Sequence, residues 1–150
     1  MAISTIQNAS LASGVPSTAK MPAGSVLQVV SNSTTSLTAT TSTSYVTTGF
    51  SVSITPTSST SKIIIMLSGG NFDSNSTSNA GVYYTFYRNN TTLLGGVDGI
   101  GITKSVTARV LATGSMLIYD APATTSATTY TLYIKAEASQ SVSFNNVGGL

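Results

Sequence analysis

The sequence contains no cysteine and no histidine. Without thiols it can form neither disulfides nor thiolate metal sites, and it carries no sign of its redox compartment. Without imidazole, nucleophile–base pairs of the Ser–His or Cys–His kind cannot be built. Charge is nearly as scarce: 7% of residues are charged, against roughly 25% in an ordinary globular protein. The four carboxylates, Asp73, Asp98, Asp120 and Glu137, are widely separated. A glycosidase pair needs two of them together, and their context does not support one. Asp98 sits in a glycine-rich turn and Asp120 precedes a proline corner. The expectation is a protein that is not an enzyme and uses no cofactor and no metal.

The cations are also dispersed. Lys20, Lys62, Arg88, Lys104, Arg109 and Lys135 include no adjacent pair, and the net charge is +2. Phosphate recognition requires clustered positive charge, so nucleic acid is not an expected partner. The longest apolar run, Ile63 to Leu67, is far shorter than the roughly 20 residues that span a bilayer, so no membrane insertion is expected. The opening "MAISTIQNASLASG" lacks the charged and apolar regions of a signal peptide. It points to a soluble product of the cytoplasm. Sequons at Asn8, Asn32, Asn75, Asn89 and Asn90 are what chance gives in so hydroxyl-rich a chain.

What the chain has instead is serine and threonine, about a third of all residues. Hydroxyls and amides must provide the solubility that charge does not. Residues 1–23 show neither helical periodicity nor strand alternation, and Pro16 and Pro22 break any helix. They read as a disordered tail or as an extended arm that orders against a neighbouring chain. Low charge and the apolar points Ile3, Ile6 and Leu11 favour an attachment arm.

From Gly24 onward the pattern is strand, turn, strand. Strands are predicted at 25–31, 45–55, 62–69, 82–88, 91–95, 102–112, 115–120, 129–137 and 141–146. Residues 31–44 fit an exposed strand or a long loop equally, residues 71–81 read as a loop, and "NN" at 89–90 as a tight turn. Two connections look alike: a strand ends at Pro56 or Pro122, small residues follow, and another strand begins. That suggests crossings at the same end of the domain. Nine short strands without a helix predict an antiparallel, jelly-roll-like β-sandwich over residues 24–150.

Two loops resemble ligand motifs only in part. Asn71, Asp73 and Asn75 alternate as in some calcium loops, but the glycine at the bend and the closing glutamate are missing. An Asx-rich turn is expected there. The glycines of "GGVDGIG" (95–101) are followed by neither Lys-Ser/Thr nor a helix signal.

"KIIIML" is the most informative stretch. In a sandwich, Ile63, Ile65 and Leu67 face the core, so Ile64 and Met66 point outward. By the same alternation Leu117 and Tyr119 oppose Met116 and Ile118, and Tyr83 and Tyr87 oppose Tyr84 and Phe86. Large apolar groups on second faces need a cover. A closed homo-oligomer supplies one, with Ile64, Met66, Tyr83, Tyr87, Leu117 and Tyr119 as candidate interface residues. The alternative is cover from within the monomer. Tyr83 and Tyr87 are also candidates for a sugar-stacking surface.

Several stretches resemble small virion proteins of tailed bacteriophages, especially those of cyanobacterial and marine phages. They are "MPAGSVLQVV" (21–30), "TSTSYVTTGFSVSITPTSSTSKIIIML" (41–67) and "SMLIYDAPATTSATTYTLYIKA" (115–136). "SITPTSSTSKI" and "DAPATTSATTY" are the most specific parts. The lead-in "ISTIQNASLASGVPSTAKMPAGSV" resembles that of tail-fibre proteins. The resemblance implies a trimeric β-rich knob in the virion, attached by its N-terminus to other tail or capsid proteins. Its implied roles are a short tail fibre, with a host-surface glycan as a further partner, or a capsid-decorating cement or head fibre. A free carbohydrate-binding module is the third reading.

Overall fold

The structure, a computed structural model, describes residues 21–22, 24–74 and 80–145. The regular elements among them are nine strands: β1 Thr38–Thr40, β2 Val46–Ile54, β3 Ile63–Asp73, β4 Ala80–Arg88, β5 Thr92–Leu93, β6 Gly101–Ser105, β7 Leu111–Asp120, β8 Thr128–Ala136 and β9 Val142–Phe144. One sheet has the order β1-β9-β3-β7. The other has β2-β8-β4, with β5 and β6 successively along the far edge of β4. Every pairing is antiparallel.

The pairing is nested. β1 meets β9, β2 meets β8, β3 meets β7, and β4 meets β5 and β6. The described chain is thus one long hairpin that turns back after β4. It is rolled so that β9 also meets β3 and β8 also meets β4. This is jelly-roll connectivity, as the sequence predicts. The turn at the end of β4 is built on Asn89 and Asn90, both with positive φ, the conformation a type I′ turn requires.

The two proline connections do lie at one end. Ile54, the last residue of β2, is opposite Thr128, the first of β8, and Ile63, the first of β3, is opposite Asp120, the last of β7. A polar clasp joins the sheets there. Arg88 donates to both oxygens of Asp120 at 2.8 and 2.9 Å, and the Tyr130 hydroxyl donates to Asp120 Oδ2 at 2.7 Å.

Between the sheets lie Ile63, Ile65, Leu67, Val82, Phe86, Met116, Leu132, Ile134 and Val142, all buried. A column of rings bridges the layers. Phe72 of β3 stacks on Tyr84 of β4 with centroids 3.8 Å apart, and Phe144 of β9 lies 5.2 Å from Phe72 and 6.3 Å from Phe50 of β2. The column depends on a bulge. Between Ser68 and Asn71 β3 gains one residue on β7, and Gly69 and Gly70 take φ of 89° and 77°. The extra residue reverses the alternation, so Phe72 rather than Asn71 enters the core.

Three expectations need correction. Residues 25–31 form no strand. Their apolar side chains are exposed, and no neighbouring strand offers them a ladder. Asn71–Asp73 belong to β3 rather than to a loop, because the bulge lets the strand continue past its glycines. Residues 102–112 are not one strand: β6 ends at Ser105, and β7 begins at Leu111 in the other sheet.

The hydroxyls tie down the connections. At seven places a Ser or Thr side-chain oxygen accepts from the backbone N–H two residues on, as Thr34 does for Ser36, Thr40 for Ser42 and Thr124 for Ser126. Five of them satisfy a backbone donor in the connections, and the pair at Thr47 and Thr48 does so at the register shift inside β2.

Candidate interaction surface

The outer face of β3 and β7 gathers four of the six predicted interface residues. Ile64 lies directly opposite Tyr119, and Met66 opposite Leu117. Their inward neighbours Ile63, Ile65, Leu67 and Met116 are buried, whereas Ile64, Met66, Leu117 and Tyr119 are 51%, 70%, 54% and 64% exposed. In each pair the side chains stand within contact distance across the ladder, so the four form one apolar quartet. Leu111, also exposed, extends the face toward the start of β7. Lys62, one alternation before Ile64, borders the quartet beside a shallow hollow shared with Tyr119, Asp120 and Ala121. β7 is the edge strand of its sheet.

Tyr83 and Tyr87 are not part of this face. They lie on the opposite outside of the sandwich, on β4 in the second sheet. There the chain covers them itself, the second of the two arrangements the sequence leaves open. Tyr87 packs on Tyr133 with centroids 4.2 Å apart and meets Tyr45 edge-on at 5.9 Å. Lys135 Nζ sits 4.8 Å from the centre of Tyr45 and 4.9 Å from that of Tyr83. The glycine loop folds against the same lysine, which donates to the carbonyl of Val97 at 2.8 Å. Burial, then the charge of Glu137, holds the Tyr83 hydroxyl above the ordinary tyrosine pKa. Burial followed by Tyr133 does the same for Tyr87. Tyr45 is raised furthest of these, mainly by burial. Lys135 lies against the Tyr83 ring and Tyr133 against Tyr87, and both tyrosines are half-buried.

All four carboxylates are held by cations. Asp73 is fully buried and receives two guanidinium nitrogens of Arg109, Asp120 receives Arg88, Glu137 receives Lys104, and Asp98 lies 3.8 Å from Lys135. The Asn71–Asp73 alternation therefore offers no free carboxylate: Asn71 is a strand residue and Asp73 is committed to arginine. Asn75 lies outside the described residues. So do Ile3, Ile6 and Leu11 of the predicted attachment arm, together with the rest of residues 1–20.

Sequence reading missed two features. Tyr45, Tyr133 and Lys135 complete the cover of Tyr83 and Tyr87, and only the pairing of β2, β8 and β4 brings them together. Val26, Leu27, Val29 and Val30 form a second exposed apolar group. Their composition was legible, but not their lack of a partner. The chain matches no protein-family model, no curated protein and no solved structure.

Proposed function

We propose that this protein is a non-enzymatic structural component of a phage virion, a short trimeric tail fibre attached through its N-terminal arm. The observation that carries the reading is the Ile64–Met66–Leu117–Tyr119 quartet, an apolar surface exposed on a single copy. Half to two-thirds of each side chain is still in water, so covering each contributes about 1–2 kcal/mol. Three copies multiply that drive. The close pairing of Asp73, Asp120 and Glu137 with cations supports a scaffold over a hydrolase. Jelly rolls occur in viral capsid and lectin domains alike, so the reading rests on the surface and on the resemblance of the sequence, not on the fold.

Light scattering at micromolar concentration should give three times the chain mass of 15.3 kDa. Ile64→Asp with Met66→Asp should give monomers or aggregates. A monomeric wild-type protein would overturn the trimer. Counting and locating the protein in purified particles tests the role. A few copies at the tail fit the fibre, while many copies over the shell would replace it with capsid decoration.

A further inference from the structure

β7 is an unprotected edge strand. Among the described residues nothing pairs with the side of β7 that faces away from β3. Natural sheets blunt such edges with lysine, proline or inward charge. Over its ten residues, Leu111–Asp120, β7 has no proline and no cation. Its only charge, Asp120, is its last residue, turned inward into the clasp with Arg88 and Tyr130, so Leu111–Tyr119 carry no such device. The same chain carries a strand-like sequence without a ladder. "SVLQVV", residues 25–30, is uncharged and β-branched, forms no strand, and leaves Val26 and Val29 71% and 81% exposed.

We infer that residues 25–30 of one copy add as a strand to the free edge of β7 in the next copy, laying apolar side chains beside Leu117 and Tyr119. This deepens the trimer reading and rests on it. The segment cannot reach β7 of its own chain. Asn32 is anchored by its side-chain amide to the carbonyl of Ser51 on β2, at 2.7 Å. β1 lies on the β2 side of the sandwich, its Thr38 hydroxyl bonded to the carbonyl of Thr48, while β7 lies at the other end of its sheet, against β6. Three strand spacings, about 14 Å, separate those edges. With only Ser31 between them, Val30 and the anchor Asn32 lie at most about 7 Å apart.

Area gives the same answer. A standard interface covers roughly 800 Å² and 20–30 residues on each partner, which the quartet alone does not supply. The added strand brings its backbone ladder and, on the quartet's face, two more apolar side chains, Val26 with Val30 or Leu27 with Val29. The contact is head-to-tail, segment onto edge. Such contacts close into rings when the rotation allows, and a ring of three leaves neither the β7 edge bare nor residues 25–30 unpaired.

The absence of native cysteine makes the test clean. Val26→Cys or Val29→Cys is combined, in the full chain, with Ser115→Cys or Leu117→Cys. Neighbouring strands bring Cα atoms to about 4.5–5.5 Å, within disulfide reach. Oxidation of at least one combination should give covalent dimers and trimers on a denaturing gel, while chains with only the β7 thiol stay monomeric. Separately, Val26→Asp with Val29→Asp should convert the trimer to monomer with little change in the circular dichroism of the sandwich. If the wild type is trimeric but no combination cross-links and the double Asp variant remains trimeric, strand addition is overturned and the trimer reading stands. A monomeric wild type overturns both.

Discussion

Small residues set the tolerances of this core. Gly114 of β7 lies against the ring of Phe72, and a Cβ there would overlap it. Phe72 cannot retreat, because Tyr84 stacks on it and Phe144 packs beside it. Gly114→Ala should therefore destabilise by about 1–3 kcal/mol through overpacking. Gly96→Ala, where a Cβ meets nothing within 4 Å, should change stability far less. Urea unfolding of the two variants side by side checks this; equal midpoints would mean the ring column is loose. Tyr45 gives a second prediction. Its hydroxyl is buried without a hydrogen-bond partner among the described residues, packed over Gly99 where a Cβ would overlap it. Tyr45→Phe should be neutral or stabilising at pH 7, by up to about 1 kcal/mol. Burial raises the folded-state pKa of Tyr45. Burial, then the bond to Asp120, raises that of Tyr130. Above the ordinary value near 10 the unfolded chain releases these protons while the fold retains them. Their contribution is thus complete below about pH 10 and is lost as pH rises toward the folded-state values. Urea midpoints at pH 9, 10 and 11 should fall in the wild type, and less steeply in Tyr45→Phe.

The best-read elements were those with strict alternation. β3 up to Leu67 and β7 from Ser115 place each large side chain on the expected side, because a period of two fixes the face once one face is buried. The two proline crossings were also legible, as a repeated local pattern. What failed was governed by pairing rather than by composition. The bulge at Gly69 and Gly70 exists only relative to β7, and the cover over Tyr83 and Tyr87 comes from residues remote in sequence. Residues 25–31 have the composition of a strand but no described ladder. By sequence Asp73 belongs to an Asx turn, yet it ends β3 and is held by Arg109. This yields a prediction for the element. With its carboxylate already matched to a guanidinium, the end of β3 should not respond to divalent cations. Thermal unfolding should be the same in EDTA and in millimolar calcium. A shift of more than a few degrees would reveal a cation site that the Arg109 pairing argues against.

For the whole molecule, the proposed division between an attachment arm and the sandwich can be tested directly. Among the described residues, Asn32 is the first to hydrogen-bond to the sandwich. The ladders, the ring column and the clasp are all made by residues from Thr38 onward. The segment inferred to join neighbouring copies begins at Ser25. Nothing in this scheme requires residues 2–20 for folding or for assembly of the trimer. Their composition still suits docking: Ile3, Ile6 and Leu11 are apolar points in a stretch broken by Pro16 whose one charge is Lys20. Ordering such a chain costs about 1–2 kcal/mol per residue in backbone entropy. On the proposed reading, a groove or strand edge on a virion protein would offset that with hydrogen bonds and apolar contacts. Deleting residues 2–20 should therefore leave the melting temperature and the trimer mass nearly unchanged while abolishing incorporation into particles. Both are measurable on one preparation, by calorimetry and light scattering of the purified variant and by its copy number in virions. Incorporation at normal copy number would move the attachment surface onto the sandwich. A loss of the trimer would show that the first twenty residues hold the copies together, a role the inferred strand addition assigns to residues 25–30.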